Sequence, residues 1–185
     1  IVSWTNLGWA FALAGRRTPA REAWLQALER LHAGTPFPPD RLPLPAGFDR
    51  FRTLWEAAAV VPDLEGRAAA FRPLLRARLA ARLAQTDPGS AVDWWSESVA
   101  ACPGVDGNLH GLAQALARTG QPAPAADLYA GLLAANPFDW SARAAAVALA
   151  RDRGDQATLA RLAAEVALVA RALGAPVAVP AEART

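Results

Sequence analysis

The sequence predicts an all-α fold, and three observations carry that expectation. Ala supplies 47 of the 185 residues, against one Ile, 11 Val and 8 Thr, so strong helix formers far outnumber the β-branched residues that favour strands. Apolar residues recur at steps of three and four, as at Leu159, Leu162, Val166, Val169 and Leu173, the period of a helix with one buried face. An Ala followed four places later by an aromatic residue returns along the chain, at Ala20 and Trp24, Ala91 and Trp95, and Ala125 and Tyr129, the last two pairs 34 residues apart. Hydrophobic residues make up 53% and charged residues 19%, enough apolar material for a core and too much for a disordered chain.

The first element reads Trp4-x2-Leu7-Gly8-x2-Phe11, then Ala20-x3-Trp24-x2-Ala27. These residues resemble the tetratricopeptide repeat (TPR) pattern position for position. The resemblance implies a helix hairpin in which small residues at the eighth and twentieth places let helices A and B approach. Large residues at the fourth, eleventh and twenty-fourth then fill the space around that contact. Gly15 falls at the turn, where a positive φ costs Gly nothing.

The next stretch, 35–71, breaks the register. Pro36, Pro38, Pro39, Pro43 and Pro45 favour extended, polyproline-like backbone. Helical period returns over 48–61, with Phe48, Phe51, Leu54, Trp55 and Ala58 on one face; Pro62 ends that helix and Asp63 is positioned to cap the next. This insertion is close to one repeat in length. Two placements of 35–47 stay open, docked across the chain's own groove or looped out over the surface. The following helix runs to about Gln85 and contains Pro73, which predicts a kink or break near Arg72.

Three further units complete the array. Residues 72–105 carry Ala91, Trp95 and Pro103 at template positions; residues 106–139 carry Leu112, Ala113, Gly120, Ala125, Tyr129 and Pro137. Residues 140–173 keep Gly154 at the turn but place Leu159, Ala163 and Arg171 where Ala, an aromatic and Pro are expected, as suits a degenerate capping repeat. Residues 174–185 read as a tail or linker. The resemblance thus implies a right-handed superhelical solenoid of hairpins with one irregular insertion. Of the seven Trp, Trp4, Trp24 and Trp95 stand at packing positions, and Trp55 lies on an apolar stripe. Trp94 and Trp140 fit a seam between repeats.

Composition narrows the function classes. Nineteen Arg and no Lys against 17 acids leave a net charge of +2, too small to argue for nucleic acid. No apolar run approaches the ~18 residues of a membrane span and no signal peptide is visible, so no membrane partner and a cytoplasmic location are expected. One Cys and two His argue against a disulfide and a zinc site, and no cofactor is expected. The glycines never form a phosphate-binding loop. Asp106, His110 and Gln114 lie one turn apart without a nucleophile, so the chain reads as non-catalytic. It opens on Ile1 and holds no Met, and is expected to be a piece of a longer chain.

By resemblance, the role is a protein–protein interaction scaffold that holds a protein or peptide partner in a groove. In that register the groove-facing places fall on Asn6, Trp9, Arg76, His110, Gln114, Arg118 and Arg151. The clamp of Lys, Asn and Arg by which some TPR proteins grip chaperone tails is missing, since the ninth places are Trp9, Ala80, Gln114 and Ala148. That departure argues against chaperone-tail binding, and the remaining set favours an extended, weakly acidic peptide. Arg67, Arg72, Arg76, Arg78 and Arg82, with no acid between Glu65 and Asp87, read either as a solvated helix face or as an anion contact. Two other roles compete. One is an accessory TPR module of a larger bacterial enzyme, such as a glycosyltransferase or methyltransferase; the other is a self-assembly module giving a homo-oligomer.

Overall fold

The computed structural model describes residues 1–35 and 64–172. The expected helix over 48–61 with Trp55, the Asp63 cap, the bulk of the Pro-rich segment and the 174–185 tail lie outside them. Among the described residues there are eight α-helices, one 3-10 turn and no strand. The helices are α1 (Val2–Leu13), α2 (Arg17–His32), α3 (Leu64–Thr86), α4 (Ala91–Ala101), α5 (Asp106–Arg118), α6 (Pro122–Ala135), α7 (Trp140–Asp152) and α8 (Gln156–Ala172). The chain divides into two compact units, Ile1–Ala115 and Leu116–Thr185.

Two devices end the helices, and both are local. After α1, α2, α5 and α7 the chain turns through Gly15, Gly34, Gly120 and Gly154, all at φ between 65° and 76°. At each, the glycine N–H and the next N–H bond back to two carbonyls of the last turn, as Gly15 N does to Ala12 O (3.0 Å) and Arg16 N to Phe11 O (2.8 Å). This is the Schellman closure, which needs a left-handed residue that only Gly supplies without strain. After α3, α4 and α6 the stop is instead Pro88, Pro103 or Pro137. The residue before each, Asp87, Cys102 or Asn136, is driven out of helical backbone, to φ between −144° and −126° with ψ from 81° to 92°.

In the first unit, α2 buries Ala20, Trp24, Ala27, Leu28 and Leu31 against Leu75, Leu79 and Leu83 of α3. The tightest contact joins α1 to α2. A Cβ built on Gly8 would lie 2.3 Å from Nε1 of Trp24, so the indole occupies the space a side chain would need. That nitrogen finds no acceptor among the described residues. An unpaired buried donor costs about 1–3 kcal/mol, whereas losing a buried Trp side chain costs about 3–5, so packing wins. Trp4 and Trp95 are only half-buried, with Trp4 packed on the edge of the cluster. Their register places them beside the core rather than in it.

Between α3 and α4, the buried Ser98 hydroxyl donates to Ala77 O (2.8 Å). Trp95 of α4 lies against Gly111 of α5, where a Cβ would sit 2.5 Å from the ring. Ala113, the small template residue of this helix, is fully buried, and Gly111 is a second small position on which the indole of the preceding helix rests. Of the kink or break expected near Arg72, the break is absent. Helix α3 runs through Pro73 without interruption. Proline removes one N–H there, and the burial of Leu75, Leu79 and Leu83 on the next turns, at about 1.5–3 kcal/mol each, outweighs it.

In the second unit, α6 buries Ala125, Tyr129, Leu132 and Leu133, and α7 buries Ala142, Leu149 and Ala150. Leu162 is fully buried on α8, with Leu159, Val166 and Val169 half-buried along the stripe that the sequence marks. Asp139 Oδ1 caps α7 by accepting from Ala142 N (2.9 Å), and Asp155 does the same for α8 through Thr158 N (3.0 Å).

Ala125 has no exposed surface. Ala125→Trp is therefore expected to destabilise by roughly 1–3 kcal/mol or more through overpacking, read as a lowered midpoint in urea. A parental midpoint would show that α6 does not seat this face.

Candidate functional site

The seven expected groove residues lie on four helices. Asn6 and Trp9 are half-buried on α1. The Trp9 ring meets Trp24 edge-on, with centroids 5.4 Å apart at 71°, and the Arg82 guanidinium lies 4.6 Å above it. Both ring contacts are internal, so Trp9 serves the core as well as the surface. Arg76 donates from Nε to Glu97 Oε1, and His32 Nε2 sits 3.0 Å from the same oxygen. On α5, His110 is half-buried and Gln114 and Arg118 are exposed, spaced four residues apart along one face. Arg151 is exposed in the last turn of α7.

Arg72 and Arg76 of the α3 run are answered by tertiary partners that a local reading misses, and Arg82 by a neighbour on its own helix. Arg72 Nη2 donates to Thr35 O (2.6 Å), Arg76 to Glu97 of α4, and Arg82 Nη1 to Gln85 Oε1 (2.7 Å). The side chain of Arg67 lies outside the described set. Arg21 of α2 donates twice to Asp87 Oδ2, at 2.8 and 3.2 Å. These pairs are partly exposed and stabilise by at most about 1 kcal/mol each, so they fix orientation while the Leu and Trp contacts hold the unit together.

A second cluster lies in the other unit and was not expected. Arg143 is only 4% exposed. Its Nη1 donates to Glu165 Oε2 (2.9 Å), its Nη2 to Pro137 O (2.8 Å), and its guanidinium lies 5.8 Å from the Trp140 ring centroid. The sequence signal was a single charge in an otherwise small and apolar stretch, Ala142-Arg143-Ala144-Ala145-Ala146-Val147. A cleft of about 300 Å³ also opens among α6, α7 and α8, floored by Ala130, Leu133, Ala146 and Leu149 and rimmed by Asp127 and Arg153. Neither Arg118 nor Arg151 lines it.

Ionisation follows these partners. Hydrogen bonding from Arg76 holds the Glu97 carboxyl below the usual carboxylate range against the opposing effect of burial, and Arg21 does the same for Asp87. Burial pushes Glu165 up, but the bonds from Arg143 and Arg161 prevail and its net shift is downward. Burial raises the pKa of the Cys102 thiol, which disfavours the nucleophilic thiolate at neutral pH. Among the described residues no three His, Cys, Asp or Glu side chains converge as metal ligands. Nor is any described helix long and apolar enough to cross a membrane.

Because these carboxyl pKa values are lower in the fold than in the unfolded chain, their stabilisation is complete above the unfolded values and disappears as pH falls through the folded ones. Stability is expected to fall with acid below about pH 4.5, and Glu97→Gln is expected to flatten that fall in a pH series of urea melts. An unchanged acid slope in the variant would contradict the Arg76–Glu97 pairing. Comparison of the chain with protein-family models and with curated proteins returned no match.

Proposed function

We propose that the chain is a TPR-like module, a right-handed superhelical solenoid of hairpins that holds an extended acidic peptide and performs no catalysis itself. The observation that carries this reading is the α5 face, where His110, Gln114 and Arg118 stand one turn apart with Gln114 and Arg118 exposed. An amide and a guanidinium in line offer donors to successive carbonyls and carboxylates of an extended chain. Supporting it are the recurring glycine closures at Gly15, Gly120 and Gly154, which fall where the resemblance expects the hairpin turns. Trp9 and Arg76 meet Arg82 and Glu97 within the fold, and the reading leans on the exposed Gln114 and Arg118 of α5.

The test compares fluorescein-labelled Glu-rich and Lys-rich peptides of equal length by fluorescence anisotropy. The acidic peptide is expected to bind better, and its affinity to fall between 0.1 M and about 1 M salt as the Debye length shrinks from about 10 to about 3 Å. Arg118→Ala is expected to weaken it by about 1.5- to 5-fold, the range of an exposed ion pair worth about 0.2–1 kcal/mol. Equal binding of both peptides, or affinity indifferent to salt, would overturn the reading.

A further inference from the structure

The cleft of the second unit carries charges of both signs on its rim above an apolar floor, and the α5 face makes no use of it. Its walls come from α6, α7 and the start of α8, and Ala130, Leu133, Ala146 and Leu149 form the floor. The alanines of two neighbouring helices keep that floor low, which leaves space for a branched aliphatic group. At about 300 Å³ the cleft stands at the lower end of the range for small-molecule sites. Such a volume suits one compact ligand rather than a folded segment.

The rim charges differ in how fully they are engaged. Both oxygens of Asp155 are held by Thr158, Oδ1 accepting from its N–H (3.0 Å) and Oδ2 from its hydroxyl (2.8 Å). Arg161 donates from Nη1 to Glu165 Oε1, so its charge is answered within α8. Arg153 is exposed and reaches only Pro122 O, from Nη1 at 3.5 Å, beyond the usual span of a hydrogen bond. Asp127 is exposed and has no hydrogen bond or ion pair with any described residue. A carboxylate from α6 and a guanidinium from the end of α7 therefore line one cleft without pairing with each other. A ligand of a single charge would leave one of them unanswered. A ligand with both signs on neighbouring atoms answers both.

We propose that this cleft binds a free aliphatic α-amino acid, its ammonium donating to Asp127, its carboxylate accepting from Arg153 and its side chain resting on Ala130, Leu133 and Leu149. The chemistry matches at each point. An ammonium offers three donors to an acceptor-only carboxylate, and a guanidinium offers paired donors to the ligand's own carboxylate. Because Arg118 does not line the cleft, this site stands or falls apart from peptide binding on α5.

The experiment titrates the full chain with four probes by saturation-transfer NMR: L-leucine, isoamylamine, isocaproate and glycine. Isoamylamine is leucine without its carboxylate, isocaproate is leucine without its ammonium, and glycine lacks the side chain. L-leucine is expected to bind in the millimolar range, and each of the other three at least about fivefold more weakly. Asp127→Asn is expected to weaken L-leucine by about tenfold, and Arg153→Gln by several-fold. Ala130→Leu, at an exposed position, is expected to abolish binding by filling the cleft, with circular dichroism unchanged. Arg118→Ala is expected to leave L-leucine binding as it is in the parent. No binding of L-leucine, or equal binding of isoamylamine or isocaproate, would overturn the proposal. So would L-leucine binding that survives both Asp127→Asn and Ala130→Leu, or that is lost in Arg118→Ala.

Discussion

An indole resting on a glycine sets the spacing of the first unit. With Trp24 over Gly8, α1 and α2 approach until no Cβ fits between them, and Ala20 and Ala27 on the same face of α2 are fully buried. Trp9 then meets Trp24 edge-on and carries Arg82 on its other side, which ties α1 to α3 through a cation and a ring. The same solution recurs at Trp95 and Gly111, between consecutive helices rather than within the first hairpin. Close approach of this kind is specific because a large flat side chain fills the gap only where the opposite wall has no side chain of its own.

What could be read from the sequence was what is decided locally. Gly15, Gly120 and Gly154 announce their turns because a positive φ is a property of one residue. The prolines after α3, α4 and α6 announce their stops because each constrains the residue just before it. Pro73 does not break α3, because its missing donor is outweighed by leucines from later turns. The Arg run on α3 read as uncompensated because Glu97 lies on another helix. Gly111 carried no signal in the repeat template, because its partner is the Trp95 ring of the preceding helix. Arg143 showed no motif; what makes it unusual is burial, a property of the assembled hairpin.

The candidate surfaces divide along the same line. The α5 face was legible because His110, Gln114 and Arg118 follow helical spacing. The pairing of the buried Arg143 with Glu165 was not, because its members lie on two helices brought together only in the assembled hairpin. Exposed guanidiniums such as that of Arg118 contribute salt-sensitive attraction and selection of charge.

The claim that the indole–glycine contact sets helix spacing is tested most directly by comparing Gly8→Ala with Gly107→Ala in urea. Gly107 also lies in a helix of the first unit, with nothing within 4 Å of a built Cβ. The contact predicts opposite signs: a loss of about 1–3 kcal/mol at Gly8 from overpacking, and a neutral or slightly stabilising change at Gly107 from higher helix propensity. Two variants shifted equally in the same direction would contradict it.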